Sequence, residues 1–229
     1  QYLLYKIKFK KIAESTQNQI INAVKAYWEK VLKRDKTWLA IKRPKRPKKL
    51  PNVLSKEEIV QLLDVVSNLK HKLILLLIYS AGLRRSEVLN LLNRDINISR
   101  RCIHIKAAKG KKDRYVVLAE TAIPYLKAYR KQHPPSYWLF EGESGGQYSA
   151  SSIQKIFHRA LEKSKVSPYA TLHTLRHSYA THCMENGHSL KHVQEALGHS
   201  SLKTTEIYLH VGANTLKKVQ SPIDQMKLK

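Results

Sequence analysis

Apolar residues recur at helical spacing along most of the chain and alternate with polar ones in one short central stretch. Ile20, Val24, Tyr27 and Val31 follow Thr16 and Gln19, the pair of a capping box, and predict one helix near the amino end. Ser55 with Glu58 opens a second capped helix carrying Ile59, Leu62, Leu63 and Val66. His71 to Ser80 is nearly all apolar, as a buried helix is, and Gly82 ends it. A further helix begins around Arg84, with Val88, Leu91 and Leu92 on its apolar side. The period then changes to two. Ile103, Ile105 and Ala107 alternate with Cys102, His104 and Lys106, Tyr115 to Leu118 is again strand-like, and Lys109 to Asp113 turn between them. Trp138 to Phe140 predicts a third short strand. Beyond the glycines at 142, 145 and 146, helical spacing returns at roughly 149–164, 173–186, 189–197 and 202–210. Gly198 reads as a helix stop, and Ser200 and Ser201 as a new cap, so Leu202, Thr205 and Tyr208 fall about one turn apart. The expected fold class is mainly α with a small antiparallel β-sheet (α+β).

One stretch interrupts the pattern. "IKRPKRPKKLPNV", residues 41–53, sets three prolines among six basic residues. Proline removes donors and biases its predecessor towards extended backbone, so this is a stiff connector. It is either a solvated linker or a strap along a phosphate backbone through Lys42, Arg43, Lys45, Arg46, Lys48 and Lys49. The expected organisation is a partial helical domain over 1–40, the linker 41–53, a main domain 54–211 and a carboxy-terminal segment 212–229. The first domain has few apolar positions and starts at Gln1, so its amino-terminal part is expected to lie outside this chain. In the last segment Leu216 with Val219, and Ile223 with Met226 behind Ser221 and Pro222, form apolar pairs that need a groove, on this domain or on a neighbouring subunit.

Charge narrows the partner. Lys plus Arg is 42 against 17 for Asp plus Glu, a formal net charge of +25, while 42% of residues are hydrophobic. The chain can bury a core and carry a strong positive field, which favours nucleic acid and salt-dependent binding over an anionic membrane. The longest apolar run, Leu73 to Tyr79, is too short to span a bilayer, and no leader pattern opens the chain, so a cytoplasmic protein is expected. Cys102 and Cys183 are the only cysteines and read as free thiols in a reducing compartment.

Candidate chemistry collects in two motifs. In "TLHTLRHSYATH", His173 and Arg176 are three apart on one helix and share a face suited to a phosphate. In "SAGLRRSEV", Arg84 stands at a helix start, with Glu87 one turn on to orient it. "AGLRRSEVLNL", the basic hairpin "AKGKKDRYVVL", "LHTLRHSYATH" and "LGHSSLKTTEIYLHV" occur in the order and approximate spacing of the tyrosine recombinases, the phage-type integrases and chromosome-dimer-resolving enzymes, which this chain resembles over most of residues 55–211. The resemblance implies a recombinase catalytic domain behind a partial core-binding domain. It implies that Arg84, Lys109, His173, Arg176 and His199 surround the scissile phosphate, with Tyr208 as nucleophile. Arg85 departs from the aliphatic residue of many relatives and, with Lys111, Lys112 and Arg114, is expected to contact the DNA backbone. The short amino-terminal segment is the larger departure.

Chemically, Arg84 and Arg176 can hold the non-bridging oxygens through charge-assisted bonds, and His199 adds a donor. A tyrosine hydroxyl with an ordinary pKa of about 10 needs a proton acceptor, expected to be His173. Lys109, with Lys111 and Lys112 as rivals, is the expected general acid for the 5′ alkoxide. A phosphotyrosine bond preserves the energy of the phosphodiester, so neither ATP nor a metal is required, and no cofactor is expected. His173, His177, His182, Cys183, His188, His192 and His199 crowd into one region, and His173 and His177 share the spacing of two zinc ligands on a helix, but no glutamate lies between them as in zinc proteases and the remaining candidates scatter over other faces, so no metal is expected. The reading is a site-specific DNA recombinase, an integrase of a mobile element. It is expected to be monomeric in solution and homo-tetrameric on double-stranded DNA, associated with the bacterial nucleoid and accompanied by accessory DNA-bending proteins. The alternatives are a type IB topoisomerase-like nicking-closing enzyme and a non-catalytic DNA-binding protein on the same fold.

Overall fold

Two units, Gln1–Lys49 and Leu50–Lys229, make up the chain. A computed structural model describes residues 5–6, 9–10, 12–35, 50–106, 113–134, 137–199, 201, 204–206 and 208. The strap residues Lys42, Arg43, Lys45, Arg46, Lys48 and Lys49, the hairpin-tip residues Lys109, Lys111 and Lys112, and the segment 212–229 lie outside the described residues.

In the first unit, helix α1 runs Glu14–Ala26 and widens into a π turn over Tyr27–Val31. The expected Thr16–Gln19 box does not form. The helix starts three residues earlier, Ala13 caps it without a side-chain acceptor, and Glu14 supplies negative charge to the first turn. The expected apolar face is also displaced: Ile21 is the buried residue, while Val24, Tyr27 and Val31 are 46%, 55% and 63% exposed. The π turn rotates the residues after Ala26, so the simple helical spacing does not carry through to Tyr27 and Val31.

The second unit is built round one helix. The Glu58 N–H donates to Ser55 Oγ at 3.1 Å and the Ser55 N–H to the Glu58 carboxylate at 2.7 Å, the reciprocal box that starts α2, Lys56–Asp64. Asn68 caps α3, Leu69–Ser80, by accepting the His71 N–H. Leu73, Ile74, Leu75, Leu77 and Ile78 of α3 are all buried, and such a helix must be enclosed on every side. It packs against α2 and against α4, Arg85–Leu89. Strands β1, Ile96–Asn97, β2, Cys102–Ile105, and β3, Arg114–Val117, form an antiparallel sheet in that order. Ile103 opposite Val116 faces the core, whereas His104 opposite Tyr115 faces out and the two rings stack at 4.9 Å.

The third strand is therefore β1 and not Trp138 to Phe140, where Trp138 makes only an isolated bridge to Leu92. A two-residue strand is too short to show as alternation. Residues 119–137, given no element above, contain α5, Ala122–Gln132, with Ala122, Leu126 and Tyr129 buried at helical spacing. Pro124 sits in its first turn, where no N–H is needed.

Three further helices follow, α6, Ala150–Ser164, α7, Leu172–Glu185, and α8, Leu190–Leu197. Helices α5, α6 and α7 also pack on α3. After α8, Gly198 adopts left-handed backbone at φ 61° and caps the helix through its N–H on the Gln194 and Glu195 carbonyls. The helix expected over 202–210 is, among the described residues, a pair of tighter i to i+3 turns: Thr204 N–H on Ser201 O and Tyr208 N–H on Thr205 O. The Thr204 hydroxyl bonds the Ser201 carbonyl and the Thr205 hydroxyl bonds His199, local bonding that competes with an α-helix. No helix among the described residues is long and apolar enough to cross a membrane.

Candidate active site

Glu87 organises the charged centre. At the third position of α4 its carboxylate accepts the Arg84 backbone N–H at 2.8 Å and Arg84 Nη1 at 2.7 Å, an orientation the i, i+3 spacing allows. Arg114, arriving from β3, donates Nη1 and Nη2 to the two oxygens of the same carboxylate at 3.0 and 2.9 Å. Arg176 Nη1 lies 3.7 Å away. Three guanidinium groups thus share one carboxylate. Burial opposes ionisation of Glu87, but hydrogen bonds from Arg114 and from the Arg84 N–H outweigh it and hold the carboxyl at about 2.

Arg176 is 1% exposed on α7. Its Nη1 donates to the Gly82 carbonyl at 2.5 Å and its Nη2 to the Leu197 carbonyl at 2.6 Å, so one side chain joins the end of α3 to the end of α8. Burial, with Arg84 beside it, lowers its pKa to about 10, which leaves it cationic near neutrality. The joint requires glycine at 82: its φ is +60°, and a Cβ there would stand 2.5 Å from the Tyr179 ring. Arg84 Nη2 reaches the Gly198 carbonyl at 3.2 Å, which brings both arginines to the turn that carries His199.

The hydrogen bonds of His199 fix its tautomer. Arg176 Nη2 lies 3.2 Å from Nε2, and a guanidinium has no acceptor, so Nε2 must accept. Nδ1 therefore carries the proton and donates to Thr205 Oγ1 at 3.0 Å. Burial, then Arg176 and Arg84, push the His199 pKa down to about 4, which keeps the ring neutral.

Tyr208 is 2% exposed and belongs to a small apolar cluster with Ala180, Val193 and Leu197, flanked by Tyr179, Cys183 and Met184. Burial raises its pKa, against the opposing fields of Arg176 and Arg84. Its hydroxyl is 2.7 Å from His177 Nδ1. The expected partner, His173, is not the ring on this hydroxyl. His173 lies one turn earlier on α7, exposed, with its ring edge-on to His177 at 4.5 Å. Spacing alone showed that 173 and 177 share a face, but which one meets Tyr208 depends on where the turn after Gly198 passes α7.

Arg84, Arg176 and His199 are thus brought together, with Glu87 supporting them. Arg114 is a correction: expected on DNA, it is largely buried, with Nε on the Ala196 carbonyl at 2.8 Å and both terminal nitrogens on Glu87. It packs so closely that a Cβ at Gly198 would stand 2.9 Å from its Nη1. Arg85 is exposed, with Nη1 3.4 Å from Gln154 Oε1, in a cleft also lined by Leu83, Thr171, Leu172 and His173. Among the described residues, no three His, Cys, Asp or Glu side chains form a group that could hold a metal ion. His177, Thr205 and the internal role of Arg114 are what the sequence reading missed.

Comparison with known proteins gives this geometry its context. The model of the phage integrase family matches residues 52–215. The chain is 36% identical to tyrosine recombinase XerA of Pyrococcus horikoshii, covering 92% of this chain and 73% of that protein. It is 31% identical to an integrase/recombinase of Escherichia coli, covering 95% of this chain and 77% of the relative. Among solved structures, the XerH site-specific recombinase bound to palindromic difH substrate in a post-cleavage complex superposes with a TM-score of 0.79 at 26% identity, covering 96% of this chain and 70% of that one.

Proposed function

The chain belongs to the phage integrase family and is a tyrosine-type site-specific recombinase, and on that premise we propose that Tyr208 is the nucleophile that cuts and rejoins double-stranded DNA. The observation that supports this reading is the convergence of Arg84, Arg176 and His199 on the Leu197–Gly198 turn, which leads into the segment carrying Tyr208. In the reaction the Tyr208 oxygen bonds the scissile phosphorus as the bond to the 5′ oxygen breaks. The strand is left as a 3′-phosphotyrosine, and a second strand's 5′ hydroxyl reverses the step.

Arg84 and Arg176 bind the non-bridging oxygens, where negative charge accumulates, through preorganised charged donors. His199 must present a donor to the phosphate, so its ring exchanges tautomer with the Thr205 hydroxyl turning from acceptor to donor. Lys109 protonates the leaving oxygen, His173 faces the phosphate from the open side of α7, and Arg85 contacts the backbone from its cleft. The strap 41–53 adds non-specific affinity. Segment 212–229 docks on a neighbouring subunit in a homo-tetramer assembled on DNA, in the cytoplasm, and the chain serves as an integrase of a mobile element. Exchange between two duplexes separates this reading from a topoisomerase.

A nicked duplex that traps the covalent intermediate tests the assignment. Tyr208→Phe should bind it without forming a covalent complex. If the Phe variant carries DNA through a denaturing gel, the nucleophile lies elsewhere. A 5′-bridging sulfur substrate should restore cleavage to Lys109→Ala and not to Arg176→Ala; rescue of the arginine variant would reverse those two roles.

A further inference from the structure

We propose that His177, not His173, takes the hydroxyl proton of Tyr208 as that oxygen attacks the scissile phosphate; the proposal rests on the reading of Tyr208 as nucleophile. The 2.7 Å contact from His177 Nδ1 to the Tyr208 oxygen already has the reach of a proton transfer. His173 stands one turn earlier on α7, in edge-on ring contact with His177 at 4.5 Å, and it is His177 that holds the Tyr208 hydroxyl. The two histidines therefore divide the work: His177 serves the entering oxygen, and His173 faces the phosphate.

The charge state of His177 fits an acceptor. Burial, then His173 and Arg176, hold its pKa at about 4, so the ring is neutral and one nitrogen is free to accept. So weak a base does not ionise Tyr208 at rest. It receives the proton only as the phosphorus bond forms, and a phosphate on Arg176 offsets one of the positive fields acting on the ring. The step balances. The tyrosine O–H breaks as the Oη–P bond forms, the proton passes to Nδ1, and the departing 5′ oxygen takes a proton from the general acid. In the rejoining step the incoming 5′ hydroxyl returns its proton to that group, and the departing phenolate recovers its own from His177.

The test uses single-turnover formation of the covalent complex on a nicked duplex. His177→Asn keeps an amide near the Nδ1 position but cannot take the proton, and His173→Asn is its comparator. Each is prepared with tyrosine and with 3-fluorotyrosine, a more acidic phenol, at position 208. His177→Asn should lose on the order of 10²- to 10³-fold in rate, the usual range for a positioned base, and fluorotyrosine should return about tenfold or more of it. His173→Asn should gain nothing from fluorination. Cleavage by His177→Asn within about threefold of the parent, or fluorotyrosine rescue confined to His173→Asn, overturns the proposal. If His177→Asn fails to bind the duplex, His177→Ala with added imidazole decides: covalent complex rising with imidazole supports the acceptor role, and no response refutes it. Covalent complex from Tyr208→Phe in the same assay would instead remove the nucleophile reading itself, an outcome distinct from full activity in His177→Asn.

Discussion

The two apolar clusters of the second unit are held by different physics. The larger surrounds α3 with side chains from α2, α4, α5, α6 and the start of α7 and from the sheet, and its members are aliphatic or aromatic. The smaller has four buried members, Ala180, Val193, Leu197 and Tyr208, and two of them are tied to charged or titratable groups, the Leu197 carbonyl to Arg176 and the Tyr208 hydroxyl to His177. The first is a matter of volume. The second is a matter of matching donors to acceptors, so substitutions that keep shape should spare one and disable the other.

The sharpest contrast comes from Arg176→Met, which fills the space and removes the guanidinium. Cleavage should fall by about 10²- to 10³-fold or more, as when a transition-state donor is removed. The Gly82 and Leu197 carbonyls would also lose a buried partner, at roughly 1–3 kcal/mol each. Equal cleavage rates for the variant and its parent would place the phosphate elsewhere. Leu75→Ala breaks the comparison from the other side. It should cost about 2–5 kcal/mol and lower the melting temperature by about 2–4 °C for each kcal/mol, yet leave the rate per folded molecule unchanged at low temperature.

How legible these clusters were in the sequence follows the same division. Contacts fixed by local geometry were readable: the Ser55–Glu58 box, the apolar run that became α3, the alternation in β2 and β3, and Arg84 with Glu87 three residues later. Contacts set by packing were not. Tyr208 meets His177 across 31 positions and Arg114 meets Glu87 across 27, and no spacing rule reaches that far. Arg114 lies in a run of basic residues that reads as a DNA-facing hairpin, and only the placement of β3 against α8 turns it inward. In α5 the missed signal was present, since Ala122, Leu126 and Tyr129 share a face, but Pro124 and the basic residues around it masked the stripe.

A smaller effect is expected from Glu87→Gln, which keeps the shape and removes the charge. Cleavage should fall about tenfold, as lost hydrogen bonds to charged groups cost about 1.5–3 kcal/mol each and Arg84 retains its carbonyl contact. Acid titration adds a sign. The Glu87 pKa is depressed to about 2 in the fold, so its stabilisation is present above the ordinary carboxylate value of 4.5 and is lost as pH falls from there towards 2. Earlier, between pH 6.5 and about 4, unfolded histidines take up protons that His177 and His199 refuse in the fold, so stability falls across that window as well. Hydrogen exchange should show the amides round Tyr208 opening before those of α3; simultaneous opening would merge the two clusters into one cooperative unit.

The mildest substitution is Thr205→Val. It leaves the His199 Nδ1–H without its acceptor, and a several-fold loss of cleavage is expected, about 1 kcal/mol, with Thr205→Ser restoring it. Nitrogen-15 shifts of His199 should report the Nδ1-protonated ring in the free parent; an Nε2-protonated ring there would contradict the tautomer drawn from Arg176.

The Arg84 and Arg176 side chains proposed to hold the phosphate oxygens should also take small oxyanions in the free protein. Such an ion binds the folded state alone, so its occupancy is thermodynamically linked to unfolding: at 100 times its dissociation constant it raises stability by about 2.7 kcal/mol. Sulfate should therefore raise the melting temperature more than chloride at equal ionic strength, and the difference should vanish in Arg176→Met. In handling terms, the buffer anion becomes a competitor of DNA: the salt that best preserves the purified protein is the one that most lowers its measured affinity for a duplex.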